Sequence, residues 1–329
     1  MRAITYDRFG PAGEVLTLED LPTPDPAAGE VLVRLSTSGV NPSDIRARAG
    51  GRPGVTEPPF PKIIPHSDGA GVIEAVGEGV SRARIGQRVW IWNGQWQRAF
   101  GTAAEHIAVP EIQAVTLPDS VSFEEGAILG IPGLTAVHAV LAGGPVAGKT
   151  VLVSGGAGTV GHLAIQVAAS SGATVLATAR GSAGLQAARD AGAAHVFDYT
   201  ADDLADQILE ATGGKLVDRI VEVEFGRNAE TDTKVIAERG TIAAYGSAKD
   251  MTPVLPFYPL MFKAAHLDLV LVYLLSEAER AAAVGNLSDL LEKNALTFRI
   301  SDVLDLADCA KAHDIIAAGE RAGSVLLKI

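Results

Sequence analysis

The stretch "TVLVSGGAGTVGHLAIQVAASSGATVLATARGS", residues 150–182, constrains the fold more than any other part of the chain. An apolar run breaks into glycines, a helical pattern follows, and a second apolar run ends in Arg180. Gly156, Gly158 and Gly161 stand as G-x-G-x-x-G between the strand pattern and the helix pattern. In that context the first glycine permits a tight turn, the second lets a pyrophosphate approach the backbone, and the third lets helix and strand pack closely. A helix starting there turns its first N–H groups and its positive dipole end toward the phosphates. The stretch therefore predicts a βαβ dinucleotide unit, with Gly156, Gly158, Thr159, Val160 and Gly161 at the pyrophosphate.

NAD-binding units carry Asp or Glu about 20 residues past the glycines, where it holds the ribose 2′-hydroxyl. Here the second strand pattern ends "ATARGS", with no carboxylate. Arg180, through charge-assisted hydrogen bonds, and Ser182, through its hydroxyl, suit a 2′-phosphate instead, which points to NADPH. The other reading of Arg180 is a solvated surface side chain.

At 329 residues the chain has room for two domains. Its first third reads as short strands, "AITYDRFG", "EVLVRLSTSGV", "GAGVIEAVGEGV", "GQRVWIWNG" and "TAAEHIAVP", separated by Gly, Pro and Asp. From Ser122, which has Glu125 at capping-box spacing, strands alternate with helices. "TVLVSG", "TVLATA", "HVFDY", "RIVEVEF", "GTIAAYG" and "LDLVLVY" predict a parallel sheet covered on both faces, and "GSVLLKI" a closing strand. A net charge of −12 without a basic cluster argues against a nucleic-acid partner. The single cysteine, Cys309, excludes an intramolecular disulfide and a four-thiolate zinc site, and reads as a small half-buried hydrophobe on a helix. "MRAITYDRFG" lacks a signal-peptide core, and "HLDLVLVYLL" is short for a membrane span and contains Asp268; a cytoplasmic protein with no membrane partner is expected.

Seven segments together resemble the medium-chain dehydrogenase/reductase superfamily, specifically its zinc-free quinone oxidoreductase branch, the zeta-crystallin-like proteins. They are "SGVNPSDIRARAG", "PHSDGAGVIEAVGEGV", "GIPGLTAVHAV", "SGGAGTVGHLAIQVA", "IVEVEFGRN", "GTIAAYGS" and "PLMFKAAHLDLVLVY", and they run through essentially the whole chain. The resemblance implies an α/β fold: a GroES-like β-rich substrate domain from residues 1–122 and 297–329, a Rossmann domain from 123–296, and an active site in the cleft between. The zinc enzymes of the superfamily carry a cysteine where Asn41 stands and a ligand histidine where Ser67 stands. His66 is one place early, with no cysteine partner and no second histidine at ligand spacing, so no metal is expected and His66 is read as a hydrogen-bonded wall of the cleft.

Asn41 is then the amide donor to an acceptor carbonyl, with Arg46, where relatives often carry tyrosine, as a cation favouring anionic or electron-poor acceptors or else pointing to solvent. Asp44 either holds the cofactor loop or is a helix N-terminal carboxylate. Trp90 is read as core; Trp92 and Trp96 either wall a flat acceptor site or pack in the core. By resemblance Thr135 and His138 serve the nicotinamide half and Tyr199 lies near the 2′-phosphate. Tyr245, Gly246, Ser247, Leu271, Val272 and Tyr273 flank the nicotinamide. The leading expectation is an NADPH:quinone oxidoreductase, with an NADPH-dependent reductase of alkenals or enones, or a non-catalytic NADPH-binding crystallin-like protein, as alternatives. The apolar run Leu267–Tyr273 predicts a homodimer joined at a sheet edge.

Overall fold

Short β-prone runs bounded by Gly, Pro and Asp open the chain as β1 (Arg2–Thr5), β2 (Thr17–Asp20), β3 (Glu30–Val40), β4 (Asp68–Val76), β5 (Arg88–Ile91), β6 (His106–Pro110) and β7 (Ala114–Thr116). The alternating region folds as β8 (Thr150–Val153), β9 (Thr174–Ala179), β10 (His195–Asp198), β11 (Val217–Glu222), β12 (Ile236–Ala244) and β13 (His266–Leu269). The chain ends in β14 (Ile300–Asp305) and β15 (Ser324–Lys328). These assignments come from a computed structural model that describes residues 1–51, 54–319 and 321–329. The chain divides into two units, residues 1–131 with 299–329, and residues 132–298.

In the first unit the main sheet runs β14-β15-β3-β4-β5-β7, with β6 added to β3 and β1-β2 as a separate pair. All of its pairs are antiparallel except β14 with β15. Period-2 alternation turns Val31, Val33 and Leu35 of β3 inward, where they meet Ile73, Val89, Ile91, Ile107 and Val109. A second cluster is closed by the helix Cys309–Ala318, whose Cys309, Ala312 and Ile316 pack on Val40, Ile64, Val325 and Leu327. The strands β2, β7 and β14 go beyond the sequence expectation. β2 and β14 are largely exposed, and β7 has only three residues, so none carries a clear buried stripe to read.

In the second unit the six strands are all parallel, in the order β10-β9-β8-β11-β12-β13. Counted from β8 this is 3-2-1-4-5-6, the doubly wound Rossmann order, whose reversal lies between β8 and β11. Helices Thr159–Ser170, Gly181–Asp190, Leu204–Ala211 and Phe225–Val235 return the chain between strands. Their apolar faces, with Leu204, Ile208, Phe225 and Ala229, pack on Leu152, Leu176, Ile220 and Ile242 of the sheet.

Two sequence expectations are corrected here. Ser122 does cap a helix, with Glu125 returning the bond, but the helix, Phe123–Gly126, belongs to the first unit, so the division lies at 131/132 and not 122/123. Gly126 packs against Ala70 and Leu117, which ties that turn to the β-rich sheet. The run Leu267–Tyr273 is not one strand: β13 stops at Leu269, and Val272–Leu274 forms a 3-10 turn held by the Arg280 guanidinium donating to the Val272 carbonyl. Among the described residues no helix is long and apolar enough to cross a membrane.

Candidate functional site

In the second unit the chemistry-bearing residues gather at the C-terminal ends of the parallel strands, where open α/β sheets bind ligands. β8 runs into Ser154 and the glycines, and the helix Thr159–Ser170 starts with Gly158 as its N-cap. The left-handed residue of the turn is Gly155, at φ +69°, a position the triplet pattern passes over. Gly156 is fixed by packing instead: a Cβ there would stand 2.8 Å from Ile165 Cδ1 and 3.1 Å from the Ala177 Cβ. At Gly161 a Cβ would fall 2.3 Å from the Gly155 carbonyl oxygen, so this glycine lets the helix close on the turn. Gly158 is the open one, with only the Gly155 oxygen, at 3.3 Å, near its missing side chain.

β9 delivers Arg180 and Ser182, both exposed, at the start of the helix Gly181–Asp190. The neighbouring strand β10 brings Asp198 beside them, a carboxylate that a search of the "ATARGS" stretch alone cannot find. Asp198 accepts from the Thr200 hydroxyl and amide and from the Gly181 amide, and these bonds, with a smaller pull from Arg180, hold it below the usual carboxylate range. Tyr199 follows, 45% exposed.

Around the strand-order reversal, Glu222 at the end of β11 is fully buried. It accepts from the Ser154 hydroxyl, the Glu224 amide and the Asn228 amide group. Burial pushes its carboxyl up, as it does that of Asp232, which Glu222 also repels. Tyr245 N donates to the Glu222 carbonyl, and the Gly246 carbonyl accepts from Phe225 N. Ser247 Oγ accepts from Gly226 N at 2.9 Å. Thr135 and His138 are buried on the helix Leu134–Leu141. Of the residues after β13, Val272 and Tyr273 are buried and Leu271 is half exposed.

In the first unit the helix Pro42–Arg48 begins at Asn41. Asp44 Oδ2 accepts from the Asn41 backbone N–H at 2.8 Å, the bond of a helix-terminal carboxylate. The Asn41 amide donates to Asp68 Oδ2 at 2.8 Å, which places one of its two N–H groups on a carboxylate of the fold itself. Burial drives the Asp68 carboxyl well above its usual range, the Asp44 charge adds to this, and the Asn41 and Ile131 N–H groups pull it back. Arg46 is exposed, whereas Arg48 is buried and donates to the Gly10 carbonyl.

A cavity of about 360 Å³ opens in this unit between Tyr6, Phe9, Phe60, Ile63 and Trp96, with Gln95 and Gln97 at its wall. Trp96 lines it, whereas Trp92 follows the core alternative: it is 8% exposed and donates Nε1–H to the Ile112 carbonyl at 3.2 Å. Trp90 is fully buried. His66 departs from its reading as a wall of the cleft. It is 1% exposed, so it does not wall a cleft, and Cys309 and His313 of the C-terminal helix stand against it. His66 Nε2 is 2.9 Å from His313 Nε2 and 3.9 Å from Cys309 Sγ, although the residues are 247 and 243 positions apart. Burial, with the His313 ring adding to it, pushes His66 well below its usual range; burial and the Arg48 cation bring His313 down to about 3. Both imidazoles are neutral at pH 7, and burial raises the Cys309 thiol, which is fully buried and not half-buried.

Two family models match the chain: an alcohol dehydrogenase GroES-like domain over residues 27–119, and a zinc-binding dehydrogenase over residues 159–289. A quinone oxidoreductase of Rattus norvegicus is 32% identical over 330 residues, covering 99% of this chain and 97% of its own. The mycobacterial protein Rv1454c, solved in complex with NADPH, superposes with a TM-score of 0.87 at 30% identity, each chain covered fully. An NAD-dependent alcohol dehydrogenase does so with a TM-score of 0.88, also at 30% identity and full coverage. The zinc in the second model's name does not fit the residues Asn41, Ser67 and Asp68. The Asn41 amide is turned to donate to Asp68, and neither a thiol nor an imidazole is among the three. With a doubly wound nucleotide-binding unit, a GroES-like β-rich unit and relatives matching end to end, this chain belongs to the medium-chain dehydrogenase/reductase superfamily, on its quinone oxidoreductase branch.

Proposed function

We propose that the protein is an NADPH-dependent quinone oxidoreductase that needs no metal for the transfer. The observation that carries this reading is the pairing of the glycine turn at the end of β8 with exposed Arg180 and Ser182 at the end of β9. The turn and the first amides of the helix Thr159–Ser170 take the pyrophosphate, and Arg180 with Ser182 takes the 2′-phosphate. Asp198 is already engaged by backbone and Thr200 donors, which leaves Arg180 for the ligand. Thr135, His138, Tyr245, Gly246, Ser247 and the segment Leu271–Tyr273 shape the nicotinamide end.

NADPH supplies a hydride and solvent a proton, so a quinone leaves as hydroquinone and the cofactor as NADP⁺. A quinone is already electrophilic, so positioning carries much of the rate. The aromatic cavity bounded by Phe9, Phe60 and Trp96 suits a flat ring. Asn41, anchored through Asp68, offers its remaining N–H to the developing oxyanion, and Arg46 adds a cation for acidic acceptors. The exposed edge of β13 and the apolar side chains beside it, with Phe262 80% and Leu269 73% exposed, favour a homodimer built on that edge.

The test is a panel of quinones and enones offered with NADPH and, in parallel, NADH, followed by loss of reduced-cofactor absorbance. Rapid turnover of quinones with NADPH is expected. Turnover of enones alone would replace this reading with C=C reduction, and no consumption with any acceptor would leave a nucleotide-binding protein without catalysis.

A further inference from the structure

We propose that His66, Cys309 and His313 form a binding site for a thiophilic d10 metal ion, Cu⁺ or Zn²⁺, inside the first unit. All three side chains are at most 1% exposed, and one ligand atom from each lies within 4.8 Å of the others. Metal–nitrogen and metal–sulfur bonds of about 2.0 and 2.3 Å place bound N and S roughly 3.5–3.8 Å apart, and two bound N atoms about 3.4 Å apart. The 3.9 Å from Cys309 Sγ to His66 Nε2 is close to the first value, and the 2.9 Å between the imidazole nitrogens needs only a small opening to reach the second.

A relay of hydroxyls aims the His66 lone pair at this point. The Thr102 hydroxyl donates to the Asp68 carbonyl at 2.6 Å, so toward Ser38, at 2.8 Å, it acts as acceptor. Ser38 then has no proton left for His66 Nδ1, 3.0 Å away, and accepts from it. His66 is therefore protonated on Nδ1, and its bare Nε2 faces Cys309 and His313. Hydrogen-bonding the far nitrogen to a fixed acceptor is how metal-ligating histidines are oriented. His66 also holds φ +76°, a left-handed backbone that a histidine adopts at a cost, and such strain concentrates where a side chain must be aimed.

Charge favours the monovalent ion. One thiolate neutralises Cu⁺, whereas Zn²⁺ leaves a net positive charge in a buried site, with the buried Arg48 cation close to His313. The ion would tie the segment before β4 to the C-terminal helix, 243 and 247 residues away along the chain.

Reduced full-length protein, stripped with chelator, is titrated anaerobically with Cu⁺ against a coloured Cu⁺ chelator, and separately with Zn²⁺ against a coloured Zn²⁺ chelator. One ion per chain is expected, tighter in the Cu⁺ arm, with a rise in melting temperature on loading. Cys309→Ser, His313→Gln and His66→Asn should each weaken binding at least 100-fold; asparagine tolerates the left-handed backbone. X-ray absorption of the loaded parent should show one sulfur and two nitrogen neighbours, a measurement that stands even where a variant does not fold. No binding in either arm, undiminished binding in the variants, or a metal shell without sulfur overturns the proposal.

Discussion

Substituting alanine at Gly161 and at Gly158 should separate two jobs that one glycine motif combines. At Gly161 the new Cβ would stand 2.3 Å from the Gly155 carbonyl oxygen and 3.0 Å from the Gly156 Cα. Both neighbours are backbone, so helix and turn must part by about 1 Å to reach ordinary contact. Overpacking of this kind costs about 1–3 kcal/mol. In a unit of this size each kcal/mol lowers the melting temperature by about 2–4 °C, so a fall of roughly 2–12 °C is expected. At Gly158 the added methyl meets only the Gly155 oxygen at 3.3 Å, and the φ of −76° suits any residue. Alanine as an N-cap in place of glycine costs less than about 1 kcal/mol, so the fold survives. The methyl would instead occupy the approach of the pyrophosphate, and NADPH should bind at least about 10-fold more weakly. Thermal melts by circular dichroism and NADPH titration by fluorescence read the two effects separately. A Gly158→Ala protein that binds NADPH like the parent, together with a Gly161→Ala protein that melts like it, would refute the division of labour.

Arg180→Ala should weaken NADPH roughly 10- to 100-fold while leaving NADH nearly unchanged; equal losses in cofactor titrations would remove the 2′-phosphate assignment. Asn41→Ala should lower quinone turnover about 10- to 1000-fold with little change in NADPH affinity, least for quinones that accept hydride readily. Steady-state rates equal to the parent across a graded quinone series would leave Asn41 as a helix cap and nothing more. Arg46→Ala should raise KM for acidic quinones more than for neutral ones, read in the same series. Leu269→Arg, which places charge on the exposed edge of β13, should shift the protein from dimer to monomer by light scattering; a parent that is already monomeric at micromolar concentration contradicts the proposed dimer.

Local chemistry carried much of the fold into view. The strand, glycine turn and helix of residues 150–170 are set by neighbours in sequence, and so is the Ser122–Glu125 cap. Where partners are remote the signal fades. Trp92 and Trp96 are equivalent by composition, and only the fold decides that Trp92 donates to Ile112 while Trp96 lines the cavity. Asp198 comes near Arg180 because β10 pairs with β9, a register that no spacing rule encodes. The motif pointed to Gly156 for the tight turn, yet the left-handed residue is Gly155, while Gly156 is fixed by close packing against Ile165 and Ala177. "LDLVLVY" is β-prone throughout, but the strand ends at Leu269 and the chain passes into the 3-10 turn Val272–Leu274, which Arg280 holds from the next helix. His66, Cys309 and His313 were invisible as a group, since the segments that hold them meet only when the last helix docks on the first unit.

The place of β15, between β14 and β3, fixes an order of events during synthesis. Residues 132–298 are contiguous, so that unit can complete its sheet as soon as it leaves the ribosome, whereas the sheet of the first unit lacks an inner strand until residues 324–328 emerge. At about 5–20 residues per second, the 31 residues after Phe298 take roughly 2–6 s to make. Throughout that interval the Thr37–Val40 end of β3 offers unpaired N–H and C=O groups that only Val325–Lys328 later cover. A nascent chain stalled before Ser324 therefore keeps an open sheet edge in its first unit, the point from which chaperone capture or edge-to-edge aggregation would begin.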